Sequence, residues 1–115
     1  MISDSYRNQK DGVKMNIDPQ NNIHGKITIL EMNLINLNDK LELSCRIFLD
    51  NIVTRIVFNN VSRLRIENFS PPLEVQGFEI INHSQDGYTS DSRYEICDYE
   101  NDSLSFFCEN FTQLE

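Results

Sequence analysis

From Lys40 to Asp50 the chain alternates without a break: Leu41, Leu43, Cys45, Ile47 and Leu49 are separated by Lys40, Glu42, Ser44, Arg46, Phe48 and Asp50. A period of two held over eleven residues is the side-chain period of a β-strand, and on a helix it would scatter the apolar set around the axis. The odd positions are expected to face a core and the even ones mostly water. Such a strand needs neighbours to take up its backbone hydrogen bonds, so the rest of the chain has to supply strands too.

It does. Asn38-Asp39, a pair tolerant of positive φ, links this strand to the apolar stretch Ile27–Leu37. In that stretch the apolar register moves from Ile27 and Ile29 to Leu30, Met32 and Leu34. The shift predicts a β-bulge near Glu31, or a strand buried on both faces. Val53–Phe58 and Val61–Phe69 flank Asn59-Asn60 and read as a hairpin, with Arg63, Arg65 and Glu67 on the opposite face from Leu64 and Ile66. Ser70-Pro71-Pro72 ends that run, because proline gives no amide to a ladder. Val75–Ile81 is a further strand, with Gly77 as a candidate bulge, and His83–Ser92 is the longest loop signal. Arg93–Tyr99 and Leu104–Phe111 read as a closing hairpin across Glu100-Asn101-Asp102.

Composition agrees. The chain has no alanine, the best helix former, but 14 asparagines and 13 isoleucines. The expectation is an all-β, single-domain antiparallel β-sandwich or strongly curved sheet of about seven strands, with little helix. Residues 1–22 are polar, with apolar residues too sparse to form a face, and read as an N-terminal arm; residues 23–115 form the antiparallel domain.

Charge narrows the function. The formal net charge is −8, which argues against a nucleic-acid surface, and no apolar run approaches the length of a membrane span. The first residues lack the layout of a secretory signal, so a cytoplasmic protein is expected. The five N-x-S/T sequons then read as a by-product of asparagine richness. The charge is also unevenly placed: residues 1–65 carry seven acids and nine bases, whereas residues 66–115 carry eleven acids and one base, Arg93. Within the acidic half, Asp86, Tyr88, Asp91, Tyr94, Asp98, Tyr99, Glu100 and Asp102 interleave carboxylates with tyrosines. Tyrosine brings rigid contact area and a polar tip, so this set is the candidate partner-binding surface. The arginines Arg46, Arg55, Arg63 and Arg65 read as cross-strand ion pairs, or as a counter-patch through which the chain associates with itself.

Catalytic and metal signals are weak. No G-x-S-x-G, P-loop or GxGxxG motif occurs, and His24 and His83 belong to no metal-binding spacing. Asp98, Glu100 and Asp102 alternate but lack the glycine of a calcium loop. His83 reads as a loop histidine hydrogen-bonded to its own turn. Cys45, Cys97 and Cys108 form no CxxC pair and read as small apolar strand residues in a reducing compartment. No catalytic residue, metal site or cofactor is therefore assigned. The remaining alternative is a small-molecule or glycan-binding β domain with Phe48, Phe107 and Tyr88 lining a pocket between sheets.

Three features of residues 50–115 carry a resemblance. They are the V-x-x-L-x-I run at Val61–Ile66, the G-F-E-I-I run at Gly77–Ile81, and the closing D-Y-E-x-D-x-L-x-F-x-C stretch from Asp98 to Cys108. Together they resemble the small YxiG-type bacterial proteins associated with polymorphic toxin systems. That resemblance implies an immunity protein, non-catalytic, whose partner is a cognate protein toxin rather than nucleic acid or a membrane. It assigns no functional residue, and it leaves open whether the chain forms a homodimer.

Overall fold

The structure, a computed structural model, describes residues 24–67 and 70–114; the expected arm of residues 1–22 lies outside the described residues. Eight strands follow one another: β1 His24–Leu37, β2 Lys40–Leu49, β3 Ile52–Asn59, β4 Ser62–Ile66, β5 Leu73–Asn82, β6 Tyr94–Asp98, β7 Leu104–Cys108 and β8 Asn110–Leu114. They make one antiparallel sheet in the order β4-β7-β6-β5-β1-β2-β3-β8. A short 3₁₀ turn at Ser90–Ser92 is the only helical element described. The all-β, curved-sheet expectation holds, with eight strands instead of about seven.

Two tight hairpins build the first half. Asn38 and Asp39 sit at φ 52° and 66°, and Asp50 and Asn51 at φ 53° and 66°. Both pairs are thus left-handed at each central residue, the type I′ geometry whose twist matches the strands it joins. Asn and Asp tolerate that region through local side-chain hydrogen bonding. The bulge expected near Glu31 is present as a register shift between Ile29 and Glu31. A second bulge lies on β5, where Gln76 and Gly77 oppose Lys26 of β1. Gly77 is required there. A Cβ would lie 2.7 Å from the Glu100 amide nitrogen and 3.0 Å from the Tyr99 ring.

The Asn59-Asn60 pair is not a hairpin. β3 pairs with β2 and β8, and β4 pairs with β7, so β3 and β4 stand near opposite ends of the strand order. Six strand spacings would separate them by about 29 Å in a flat sheet. Only Asn60 and Val61 intervene, and three residue steps reach ~11 Å at most. The sheet must therefore roll until its two ends approach. A second crossing, at Glu109 between β7 and β8, runs alongside and accounts for the extra strand in what the sequence presents as one segment, Leu104–Phe111. The Glu109 amide donates to the Asn59 carbonyl at 3.0 Å, and the Asn59 side-chain amide donates to Asn110 at 2.7 Å.

Rolling puts the core inside one curved sheet. Phe58 on β3 meets Phe106 on β7 edge-to-face at 5.0 Å, and Tyr94 on β6 meets Phe111 on β8 at 5.1 Å. Around them Ile27, Ile29, Leu43, Cys45, Ile47, Ile56, Val75, Ile80, Ile96 and Leu104 are buried. The odd positions of β2 face this core as their alternation requires.

Candidate binding face

β5, β6 and β7 turn one face inward and one outward. On β6, Tyr94, Ile96 and Asp98 are buried, which leaves Glu95 and Cys97 pointing away from the core. Register extends the pattern: Ile81 and Phe107 lie either side of Glu95, and Glu79 and Ser105 either side of Cys97. The outward face is thus a patch of two carboxylates among half-buried apolar side chains.

At one end of this patch the β5–β6 loop folds back over it. His83 is held by both ring nitrogens, Nδ1 to Asp86 Oδ2 at 2.7 Å and Nε2 to Glu95 Oε1 at 2.8 Å. Tyr88 stacks on the imidazole at 4.2 Å with the planes 4° apart. Phe107 lies 6.2 Å from the Tyr88 ring, and the Arg63 guanidinium sits 5.2 Å from the Phe107 centroid. Arg63 reaches that position from a left-handed backbone, φ 55°, at an irregularity in β4. Partial burial pulls the His83 pKa down, but the bonds to Glu95 and Asp86 outweigh it and the net shift is upward. With both nitrogens engaged, this histidine pins its loop to β6, which extends the expectation of a turn-bound loop histidine.

The other end of β6 is built round Asp98. Its carboxylate accepts from the amides of Gly77 at 3.0 Å, Glu100 and Asn101 at 3.2 Å each and Ser103 at 3.3 Å, and from the Ser103 hydroxyl. Burial would raise its pKa, yet these donors favour the ion and the net shift is downward.

The eight sequence candidates therefore divide. Tyr94 and Asp98 are buried, one in the aromatic core and one inside its turn, so neither presents a surface to a partner. This corrects the expectation for both. Asp86, Tyr88 and Asp91 share the β5–β6 loop, whereas Tyr99, Glu100 and Asp102 share the β6–β7 turn, and the five residues of β6 hold the two groups ~15 Å apart. Asp102 pairs with Arg65, and Asp91 accepts from Asn60 at 3.2 Å. Glu79 and Glu95, which join the two groups across the sheet, were readable from period two but escaped notice because they stand inside strands.

The thiols are quiet. Burial pushes Cys45 and Cys108 up to about 12, and burial with the nearby Glu95 and Glu79 pushes Cys97 up to about 11. Phe107 and Tyr88 do come together, but Phe48 lies on β2, elsewhere in the sheet. Inside the roll, a cavity of about 10 Å³ among Ile27, Ile29, Met32, Phe78, Leu104 and Phe106 has room for a water-sized guest and not for a sugar. Among the described residues no three His, Cys, Asp or Glu side chains gather as a metal site, and no helix is long and apolar enough to cross a membrane. No protein-family model matches the sequence, and neither a curated protein nor a solved structure matches it at a significant level.

Proposed function

We propose that this chain is a non-catalytic binding protein that neutralises a basic protein toxin through the outward face of β5–β7 and the loop folded over it. The observation that carries this reading is the patch itself: Glu95 and Asp86 hold His83 beside Tyr88 and Phe107, and Glu79 continues the same outward face next to Cys97. Asp91 and Glu100 are exposed, so their charge faces solvent. Carboxylates steer a basic partner toward the surface, and the rings supply desolvated contact once it arrives. The immunity-protein resemblance of residues 50–115 supports the same reading. The test is co-expression with the C-terminal domain of the protein encoded immediately upstream. Rescue from its toxicity, lost in a Glu79→Lys, Glu100→Lys double variant of unchanged fold, is the expected result. Growth arrest despite this chain, or rescue indifferent to the double variant, refutes it.

A further inference from the structure

β1 is 14 residues long, but its two edges are not equally used. β2 covers one edge from Thr28 to Leu37. On the other edge β5 pairs only with His24 to Ile29, because β5 begins at Leu73 just after Pro71-Pro72, and proline has no amide to continue the ladder. Among the described residues no strand lies beside the segment Glu31–Leu37 on that side.

The hairpin fixes which groups face the opening. Leu37 and Lys40 close a two-residue turn and exchange hydrogen bonds, so Leu37, Ile35 and Asn33 bond toward β2. Met32, Leu34 and Asn36 therefore turn their N–H and C=O groups outward. The side chains are as unprotected as the backbone: Leu34, Ile35 and Leu37 are 51%, 42% and 50% exposed. From Met32 to Asn38 there is no charged residue, no proline and no glycine. Folded proteins ordinarily guard an open edge with lysine, proline, a bulge or brevity. β4 has an irregularity and two arginines, and β4 and β8 are only five residues each. Between the bulge at Glu31 and the turn at Asn38, Met32–Leu37 has none of these.

We infer that the open edge of β1 pairs antiparallel with the same edge of a second copy, about a two-fold axis at Leu34. The segment is its own complement. Leu34 opposes Leu34 of the second copy, Met32 opposes Asn36, and Ile35 opposes Asn33, so no like charges meet and the outward amides and carbonyls of three residues per chain are satisfied. Charge elsewhere permits it. Residues 24–59 hold four acids and four bases, and the acidic β5–β7 face lies in the other half of the strand order. The two copies join into one continuous sheet and leave the proposed toxin-binding face free.

Sedimentation equilibrium of the full chain tests this. At about 100 μM, where a micromolar dimer is saturated, the expected mass is twice the 13.5 kDa of one chain. Leu34→Lys sets two lysines against each other, and Leu34→Pro removes the Leu34 side chain together with an outward amide that β2 does not use. Both variants are expected to keep the wild-type circular dichroism and sediment as single chains. Amide exchange gives an independent reading, with protection of Met32, Leu34 and Asn36 rising with concentration while Ile35 and Leu37 stay protected throughout. A wild-type mass of one chain overturns the inference, as does a dimer that survives Leu34→Pro.

Discussion

Replacing Asp98 with alanine tests the central claim about the β6–β7 turn, that one carboxylate organises it from inside. The residue is 2% exposed and accepts five hydrogen bonds. Alanine removes all five acceptor contacts at once. The Gly77 amide is buried and is left without a partner, at a cost of about 2 kcal/mol. The other four donors are half-buried and recover water, so together they lose about 1–2 kcal/mol. The expected loss is therefore about 3–4 kcal/mol, a large part of the 5–15 kcal/mol typical of a domain. With a urea slope near 1.5 kcal/mol/M for a chain this size, the midpoint should fall by about 2–2.7 M. Far-UV circular dichroism through a urea series measures it. The pH dependence must share the cause. Because the folded pKa of Asp98 is depressed, its contribution is fully present above the ordinary aspartate pKa of 3.8 and is lost as pH falls through the lower folded value. The gap between wild type and variant should therefore narrow in acid, because the part of it specific to the ionised carboxylate is lost. A midpoint within about 0.3 M of wild type, or a gap that stays the same size as pH falls below 3.8, would refute this account of the turn.

The histidine clamp predicts the opposite pH trend. Its folded pKa lies above the ordinary 6.5, so its contribution is complete below 6.5 and fades as pH rises through the folded value; His83→Ala should lose most stability in weak acid, and proton NMR should show Glu95→Gln lowering the His83 pKa. Gly77→Ala forces a Cβ against the Glu100 amide and should cost about 1–3 kcal/mol in urea unfolding, whereas Gly87→Ala, with open space around its Cβ, should lose less than that through its left-handed backbone alone. Titration with a thiol reagent at pH 8 should modify Cys97 slowly, leave Cys45 and Cys108 untouched in the native protein, and reach all three in denaturant.

What could be read from the sequence was whatever is local. The alternation of Leu41–Leu49, the Asn38-Asp39 turn and the bulges at Glu31 and Gly77 follow from side-chain period and φ preference, which neighbours in sequence determine. The Asn59-Asn60 crossing was misread because a corner and a hairpin ask for the same residue types; only the partner of the next strand separates them, and that partner, β7, lies about forty residues away. The break at Glu109 does leave a trace, since Leu104, Phe106 and Cys108 are followed by Phe111, a step of three where the strand demands two. Asp98 shows period and charge in conflict. Its phase with Tyr94 and Ile96 pointed inward, its carboxylate suggested the surface, and the turn amides decided the matter.

The paired crossings at Asn60 and Glu109 have a consequence for how the chain is made. β4–β7 make one half of the strand order from a continuous stretch of chain, whereas β1–β3 are completed by β8, a strand from the other end of the described sequence. The half built on β1–β3 is made first and finished last, because a nascent chain emerging from the ribosome lacks its outer strand until Asn110–Leu114 has been made. Severed between Asn60 and Val61, the piece with β1–β3 lacks both β8 and the core side chains of the other half, so it should be unfolded alone and fold when mixed with the second piece.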